Sequence, residues 1–293
     1  MAEEVTARVS RYVNDGSDQD LRRLLRGAEL VAEPARTAFR RAGVQQGWNV
    51  IDCGCGPLGG LAVLAEMVGP AGRVVGVDLS PATVQRARAV VSALELGNVE
   101  VIAGGLHDLD SAALGGPFDL AFTRLFLMHQ PDPVRTLRHI ADLLRPGGWL
   151  VAHEQLPSPP PRSHPNLEAL TGTWDLTYEV LHRNGVPARV VEDLPRSARQ
   201  AGLEVTAMSG FFGVIDPEVM FELNAASIAA LRERGIQLGI AAERIDGLVR
   251  DLQAAAKDGG YEWVTSPFFL DLALRKPAAK RPAVPECARS DGS

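Results

Sequence analysis

The chain has 293 residues, 46% of them hydrophobic and 23% charged, the balance of an ordinary globular protein long enough for a sizeable core. A net charge of −6 argues against a dedicated nucleic-acid binder, which shows a basic face. No apolar run reaches the ~20 residues of a membrane span, and the acidic-polar opening MAEEVTARVSRYVNDG is not expected to be a signal peptide. Cys53, Cys55 and Cys287 cannot build a disulfide framework, so a reducing cytoplasm is the expected compartment.

Residues 5–42 read as helical: Leu21, Leu24, Leu25, Leu30 and Val31 recur near helical spacing, with Asp18 and Asp20 able to cap a start. A short apolar strand begins at Val50-Ile51, and a glycine-rich turn at 54–60 leads into a helix over Leu61–Val68. Further strands are predicted at Arg73–Val77, Val99–Ala103, Phe118–Phe122 and Trp149–His153, alternating with helices at 81–95 and 133–144. The segment Arg145-Pro146-Gly147-Gly148 reads as a turn. Short apolar strands alternating with helices predict βαβ units and a parallel sheet. The stretch 156–165 (LPSPPPRSHP) is too rich in proline for helix or strand. Helical patterns follow at 166–184, 191–201 and 217–256, with strands at Leu203–Met208 and about 268–274. The expected organisation is an N-terminal helical segment (1–44), one α/β domain (45–276) with helical cap insertions at about 156–201 and 216–258, and a disordered tail (277–293).

The strongest local signal is Val50-Ile51-Asp52-Cys53-Gly54-Cys55-Gly56-Pro57-Leu58-Gly59. A strand turning at once into a helix needs glycine, and Gly54, Gly56 and Gly59 fit G-x-G-x-x-G. Asp78 ends the next strand, about 20 residues on, where a carboxylate can accept both hydroxyls of a ribose. Two nucleoside-cofactor readings share these parts. A dinucleotide would bring its pyrophosphate to the helix N-terminus. Asp52, beside the turn, repels phosphate and suits a ligand carrying an ammonium and a sulfonium, the charge pattern of S-adenosylmethionine.

Val50–Gly60 resembles motif I of the class I S-adenosylmethionine-dependent methyltransferases, and Asp78 in VVGVDLS resembles their ribose-binding acidic residue. Phe118-Asp119-Leu120-Ala121-Phe122 and Leu144–Leu150 resemble the segments of the fourth and fifth strands. The match covers 45–155 and is most similar to the small-molecule branch that includes ubiquinone- and menaquinone-type enzymes. The resemblance implies a Rossmann-like, doubly wound, mostly parallel sheet ending in a β-hairpin, with a helical cap. It implies S-adenosyl-L-methionine as cofactor, S-adenosyl-L-homocysteine as product, and methyl transfer to oxygen, nitrogen or carbon of a small metabolite, as in secondary metabolism. It places Tyr12, Asp52, Gly54, Gly56, Gly59, Asp78, Leu79, Gly105, Leu106, Thr123 and Arg124 around the cofactor. The family's Gly-Asp-Ala after the third strand is Gly104-Gly105-Leu106 here, so the aspartate's contact with adenine is absent, bridged by water, or supplied by Asp108.

The resemblance puts His129 near the transferred methyl as candidate general base; the alternative is that it caps or packs on the helix starting at Asp132-Pro133. His153-Glu154 at the end of the fifth strand reads as structural rather than catalytic. Trp174 and Tyr178, four apart on one helix face, and Phe211-Phe212 are core aromatics or an acceptor lining. No metal is expected, because no Cys/His/Asp cluster has ligand spacing. The expected partner is a small-molecule acceptor, a homodimer is the candidate assembly, and the runner-up functions are a nicotinamide-dependent oxidoreductase and a degenerate scaffold.

Overall fold

The computed structural model describes residues 32–57 and 59–278. A helix covers residues 32–41 (α1), and the remainder of the helical stretch expected at 5–42, with Tyr12, lies outside the described residues, as do 279–293 of the expected tail. The next elements are β1 (Asn49–Cys53), α2 (Leu61–Val68), β2 (Arg73–Asp78), α3 (Pro81–Ala93), β3 (Val99–Ala103), β4 (Phe118–Arg124), α4 (Pro133–Leu143) and β5 (Leu144–Gln155). Then come β6 (Ser163–His164), α5 (Glu168–Arg183), α6 (Leu194–Gln200), β7 (Glu204–Phe211), β8 (Val214–Ile215) and α7 (Pro217–Ala230). The last are α8 (Arg232–Gln237), α9 (Ala242–Asp258), β9 (Trp263–Thr265) and β10 (Phe269–Arg275).

Seven strands form one sheet in the order β3-β2-β1-β4-β5-β10-β7. Strands β1 to β5 pair in parallel, and β10 alone runs antiparallel, against both β5 and β7. This is the expected mostly parallel, doubly wound sheet with a terminal hairpin whose two strands are separated by a long insertion. The apolar runs are continuous because helices cover both faces. Phe39, Val50, Leu64, Val74, Leu120, Phe122 and Val151 fill the layer under α1 to α3. Ile51, Val75, Ala121, Leu137, Ile140, Leu150 and Leu272 fill the layer under α4 and α6. Helix starts follow side-chain capping: Ser80 accepts from Thr83 N and Asp132 from Arg135 N, each followed by a proline at the first helical position.

Three details depart from the sequence reading. Strand β5 begins at Leu144 and runs through the expected Arg-Pro-Gly-Gly turn, which is an irregularity in the strand: Phe118 pairs with Leu144 and Leu120 with Trp149. The extra residues leave the ladder as a bulge, with Gly147 at a φ of 78°. The proline-rich stretch contributes a two-residue strand, β6, to a small β6-β9-β8 sheet. Helix α6 packs on the main core through Leu194 and Ala198, so the expected insertion at about 156–201 is divided between that core and the packed group of α5, α7 and α9.

Candidate functional site

The carboxyl ends of β1, β2 and β4 converge on the glycine turn. Gly54 N and Cys55 N both donate to Val77 O, at 2.8 and 3.0 Å, so the turn folds back over the end of β2. Gly54, Gly56 and Gly59 all have positive φ, at 73°, 58° and 42°. Their surroundings differ. A Cβ on Gly54 would run into the Phe126 ring, and one on Gly59 into Cys55 O and the Asp52 carboxylate, whereas one on Gly56 would meet open space. Gly54 and Gly59 therefore have neither the φ nor the room for a side chain, while Gly56, held to glycine by its φ alone, faces outward to where a ligand can approach.

Asp52 is buried, and its Oδ2 accepts from Gly60 N at 2.6 Å. Burial pushes its carboxyl up to about 6, against the pull of the Gly60 amide and the Arg124 guanidinium. Arg124 donates to Gly59 O at 3.0 Å and faces Asp52, with burial lowering its own pKa. Asp78 is half-buried at the end of β2 and accepts from Gly56 N and Ser80 N, both at 3.0 Å. Leu79 beside it is 75% exposed, a large apolar side chain turned to the surface. Gly105 lies within reach of Leu79: a Cβ there would stand 3.8 Å from Leu79 Cδ1 and collide with the Asp108 carboxylate. Asp108 thus occupies the space a side chain at position 105 would take. Leu106 is buried and opens a short 3-10 turn, and Thr123 is buried against Glu154. Cys53 and Cys55 are buried free thiols, and burial pushes both pKa values up, away from redox or ligand chemistry.

A cavity of about 670 Å³ opens from this turn. Asp52, Gly54, Gly56, Gly59 and Arg124 form one end, and Leu125, Met128 and His129 a side wall. The other walls come from α5, the β7–β8 segment and α7 through Trp174, Phe211, Phe212, Val214, Met220 and Leu223. Phe211 stacks on Phe269 with ring centroids 5.0 Å apart. His129 ends a 3-10 turn at Leu127–His129, and burial lowers its imidazole pKa below the usual value, so it is neutral at pH 7. Leu125 holds a φ of 52°, an uncommon conformation for a non-glycine residue at a site edge.

The structure therefore brings Asp52, the three glycines, Arg124, His129, Trp174 and Phe211 to one cavity, with Asp78, Leu79, Gly105 and Leu106 on the lip beyond Gly56. Thr123 and Tyr178 do not line it. Tyr178 stands behind Trp174 and donates its hydroxyl to Gln155 O at 3.1 Å. Sequence reasoning did not single out Met128, Gln155, Met220, Leu223, Asn224 or Phe269 as lining residues. On α7 the signal was available: Met220, Leu223, Asn224 and Ser227 lie on one helical face. Among the described residues no group of three or more His, Cys, Asp or Glu is placed to hold a metal, and no helix is long and apolar enough to cross a membrane.

Residues 45–185 match the family described as "Methyltransferase domain". With the glycine turn, Asp78 and the sheet order above, this segment, just under half of the chain, is similar to class I S-adenosylmethionine-dependent methyltransferase domains. A demethylmenaquinone methyltransferase from Listeria monocytogenes is 36% identical over 49% of this chain and 55% of its own length. An uncharacterised 37.1 kDa protein of transposon Tn4556 from Streptomyces fradiae is 36% identical over 54% of this chain and 44% of its own length. The chain thus spans about half the length of the curated relatives it matches. Coclaurine N-methyltransferase bound to N-methylheliamine and S-adenosylhomocysteine shares the fold at 14% identity and a TM-score of 0.52, over 84% of this chain and 72% of that one. A [4+2]-cyclase shares it at 22% identity and a TM-score of 0.50, over 91% and 86%.

Proposed function

We propose that this protein transfers the methyl group of S-adenosylmethionine to an oxygen, nitrogen or carbon of a small, mainly apolar organic molecule. The observation that carries the reading is continuity: the charged Asp52–Arg124 end of the site opens directly into an apolar cavity large enough for an organic acceptor. The site fits the cofactor. Gly56 leaves open space at the turn, Asp78 offers a partly exposed carboxylate to a ribose, and Leu79 offers an exposed apolar face beside it. Asp52 would face the positive end, with Arg124 limiting the cost of its burial. Gly105, Leu106 and Asp108 would line the base end, with Asp108 in the space an aspartate at 105 would use.

When bound, S-adenosylmethionine supplies a methyl group already activated on a sulfonium. The chain's own work is then alignment and exclusion of water, which can be worth roughly 7–11 kcal/mol of the barrier. Trp174, Phe211, Phe269 and the α7 face would clasp the acceptor, as a cap formed by α5, α7 and α9 over the sheet end. His129 would take the proton from a nucleophile that remains protonated until attack, which its neutral form at pH 7 permits. The distribution of carboxylates favours this cofactor over a dinucleotide, because Asp52 sits where a pyrophosphate would have to approach. A thermal-shift titration tests the reading: S-adenosylhomocysteine should raise Tm in a concentration-dependent way and NADH should not. Labelled S-adenosylmethionine offered with a panel of uncharged aromatic and lipid-like acceptors then tests transfer. Stabilisation by NADH alone would overturn the proposal.

A further inference from the structure

We propose that Glu154 is a positioning residue that holds the β4–α4 loop against the glycine turn, fixing where Leu125, Met128 and His129 stand in the cavity. The inference rests on reading that cavity as the acceptor site. Glu154, the last residue but one of β5, is fully buried and does not line the cavity. Its Oε1 accepts from Thr123 Oγ1 at 3.2 Å, Phe126 N at 3.3 Å and Leu127 N at 3.0 Å, and its Oε2 from Met128 N at 3.2 Å. Three consecutive loop amides are thus gathered on one carboxylate. Leu125 N adds a bond to His153 O at 3.0 Å, so both residues at the end of β5 grip the loop. The further bonds from His129 N to Phe126 O and from Gln130 N to Leu127 O are internal to it.

The grip has a consequence at the other end of the site. Phe126 lies against Gly54 so closely that a Cβ there would collide with its ring. The loop is therefore seated on the cofactor turn by Phe126 and tied to β5 by Glu154, and the left-handed Leu125 is held between the two. A neutral side chain could cap these amides at lower desolvation cost. Burial instead pushes Glu154 up to about 7, with no cation among the described residues facing it; the titratable side chain that senses its charge is Tyr178 of α5. A carboxyl group kept there despite that cost has two oxygens to share among the four donors, where an amide has one. Glutamine keeps one oxygen and turns an NH2 toward amide donors, so the loop has to shift.

The test uses the full chain with methionine methyl and histidine ring carbons labelled for NMR, S-adenosylhomocysteine being the probe of the cofactor end. Glu154→Gln should move the Met128 methyl and His129 ring signals while Met67 in α2 and Met208 in β7 stay in place. Its affinity for S-adenosylhomocysteine should remain within about three-fold of wild type. Superimposable Met128 and His129 signals would overturn the inference, as would a loss of affinity with Met128 unmoved. If Glu154→Gln does not fold, Thr123→Val removes one of the four donors and should shift the same two signals by less; no shift there also overturns it. Failure of the wild type to bind S-adenosylhomocysteine would count against the proposed function but leaves this comparison of signals intact.

Discussion

Replacing Asp78 separates cofactor recognition from the integrity of the turn, because on the proposed reading the carboxylate does two jobs. In the structure it accepts from Gly56 N and Ser80 N, each at 3.0 Å, and it is partly exposed to any ligand lying on the turn. Asp78→Ala removes a charge-assisted acceptor for ribose hydroxyls, worth ~1.5–3 kcal/mol, which weakens S-adenosylhomocysteine by about 10–150-fold. It also frees two backbone amides. Water can reach them, so the loss of folding stability stays below ~2 kcal/mol, a fall in Tm of roughly 4–8 °C for a chain of this size. Asp78→Asn keeps one carbonyl oxygen without the charge, and its affinity should lie between wild type and Asp78→Ala. Calorimetric titration measures the affinities, and thermal unfolding without ligand measures the structural part. Affinity in Asp78→Ala within about two-fold of wild type would remove Asp78 from the cofactor site, whatever happened to Tm.

The glycines give different signatures. Gly54→Ala puts a Cβ into the Phe126 ring at a φ of 73° and should lower stability by ~1–3 kcal/mol in urea unfolding, whereas Gly56→Val meets no protein atom but is strained at a φ of 58°, so it should lose stability and, in addition, block S-adenosylhomocysteine binding. If His129 is the base, His129→Gln should lower kcat by roughly 10²–10⁴-fold with S-adenosylmethionine affinity unchanged; wild-type activity should fall with acid only below the ordinary imidazole pKa, since burial lowers this one. Full activity of His129→Gln at acid and neutral pH would exclude the base role. Asp52 and Glu154 are raised to about 6 and about 7, so each holds a proton more tightly folded than unfolded. Their contribution to stability is complete below the ordinary carboxylate pKa and is lost as pH rises through about 6 for Asp52 and about 7 for Glu154, by up to ~3 kcal/mol each. Urea unfolding from pH 5 to 8 should show Glu154→Gln with a flatter profile than wild type, and parallel profiles would contradict the burial argument.

The main sheet was legible in the sequence because its central strands are buried on both faces and read as apolar runs, such as Val74–Val77 and Phe118–Phe122, the latter broken only by Asp119. The turn was legible because positive φ at three positions requires glycine. The β6-β9-β8 sheet was not: its strands have two or three residues, and β6 lies within a proline-rich stretch. The bulge in β5 hid behind Pro-Gly-Gly, which carries the same signal in a turn and in an interrupted strand. Glu154 left a trace, an acid closing the buried run Val151-Ala152-His153, and a buried carboxylate has to be partnered. What the sequence could not supply was the partner, since consecutive backbone amides carry no side-chain signature. Gly105 and Asp108 are a similar case: the absence at 105 was visible, but the filling of that space by Asp108 is a three-dimensional fact.

The two ends of the cavity come from different parts of the chain, and this bounds what similarity can convey. Asp52, the glycines, Asp78 and Arg124 lie within residues 45–185, the segment that matches the methyltransferase domain. Phe211, Phe212, Val214, Met220, Leu223 and Phe269, which form most of the remaining wall, lie beyond it. On the proposed reading, the cofactor end is built by the sheet and turns of the matching segment, and the acceptor end mostly by the two hairpin strands and the insertion between them. A fold common to an N-methyltransferase and a [4+2]-cyclase defines no single reaction, because the site and not the sheet selects the chemistry. On the proposed reading, that selection would fall in this chain to α5, the β7–β8 segment and α7, together with the loop seated on Gly54. Exchanging the α7 face alone, by Leu223→Ala with Met220→Ala, should therefore change which acceptors are methylated and leave S-adenosylhomocysteine affinity near wild type. A joint loss of both would mean that the insertion also builds the cofactor end.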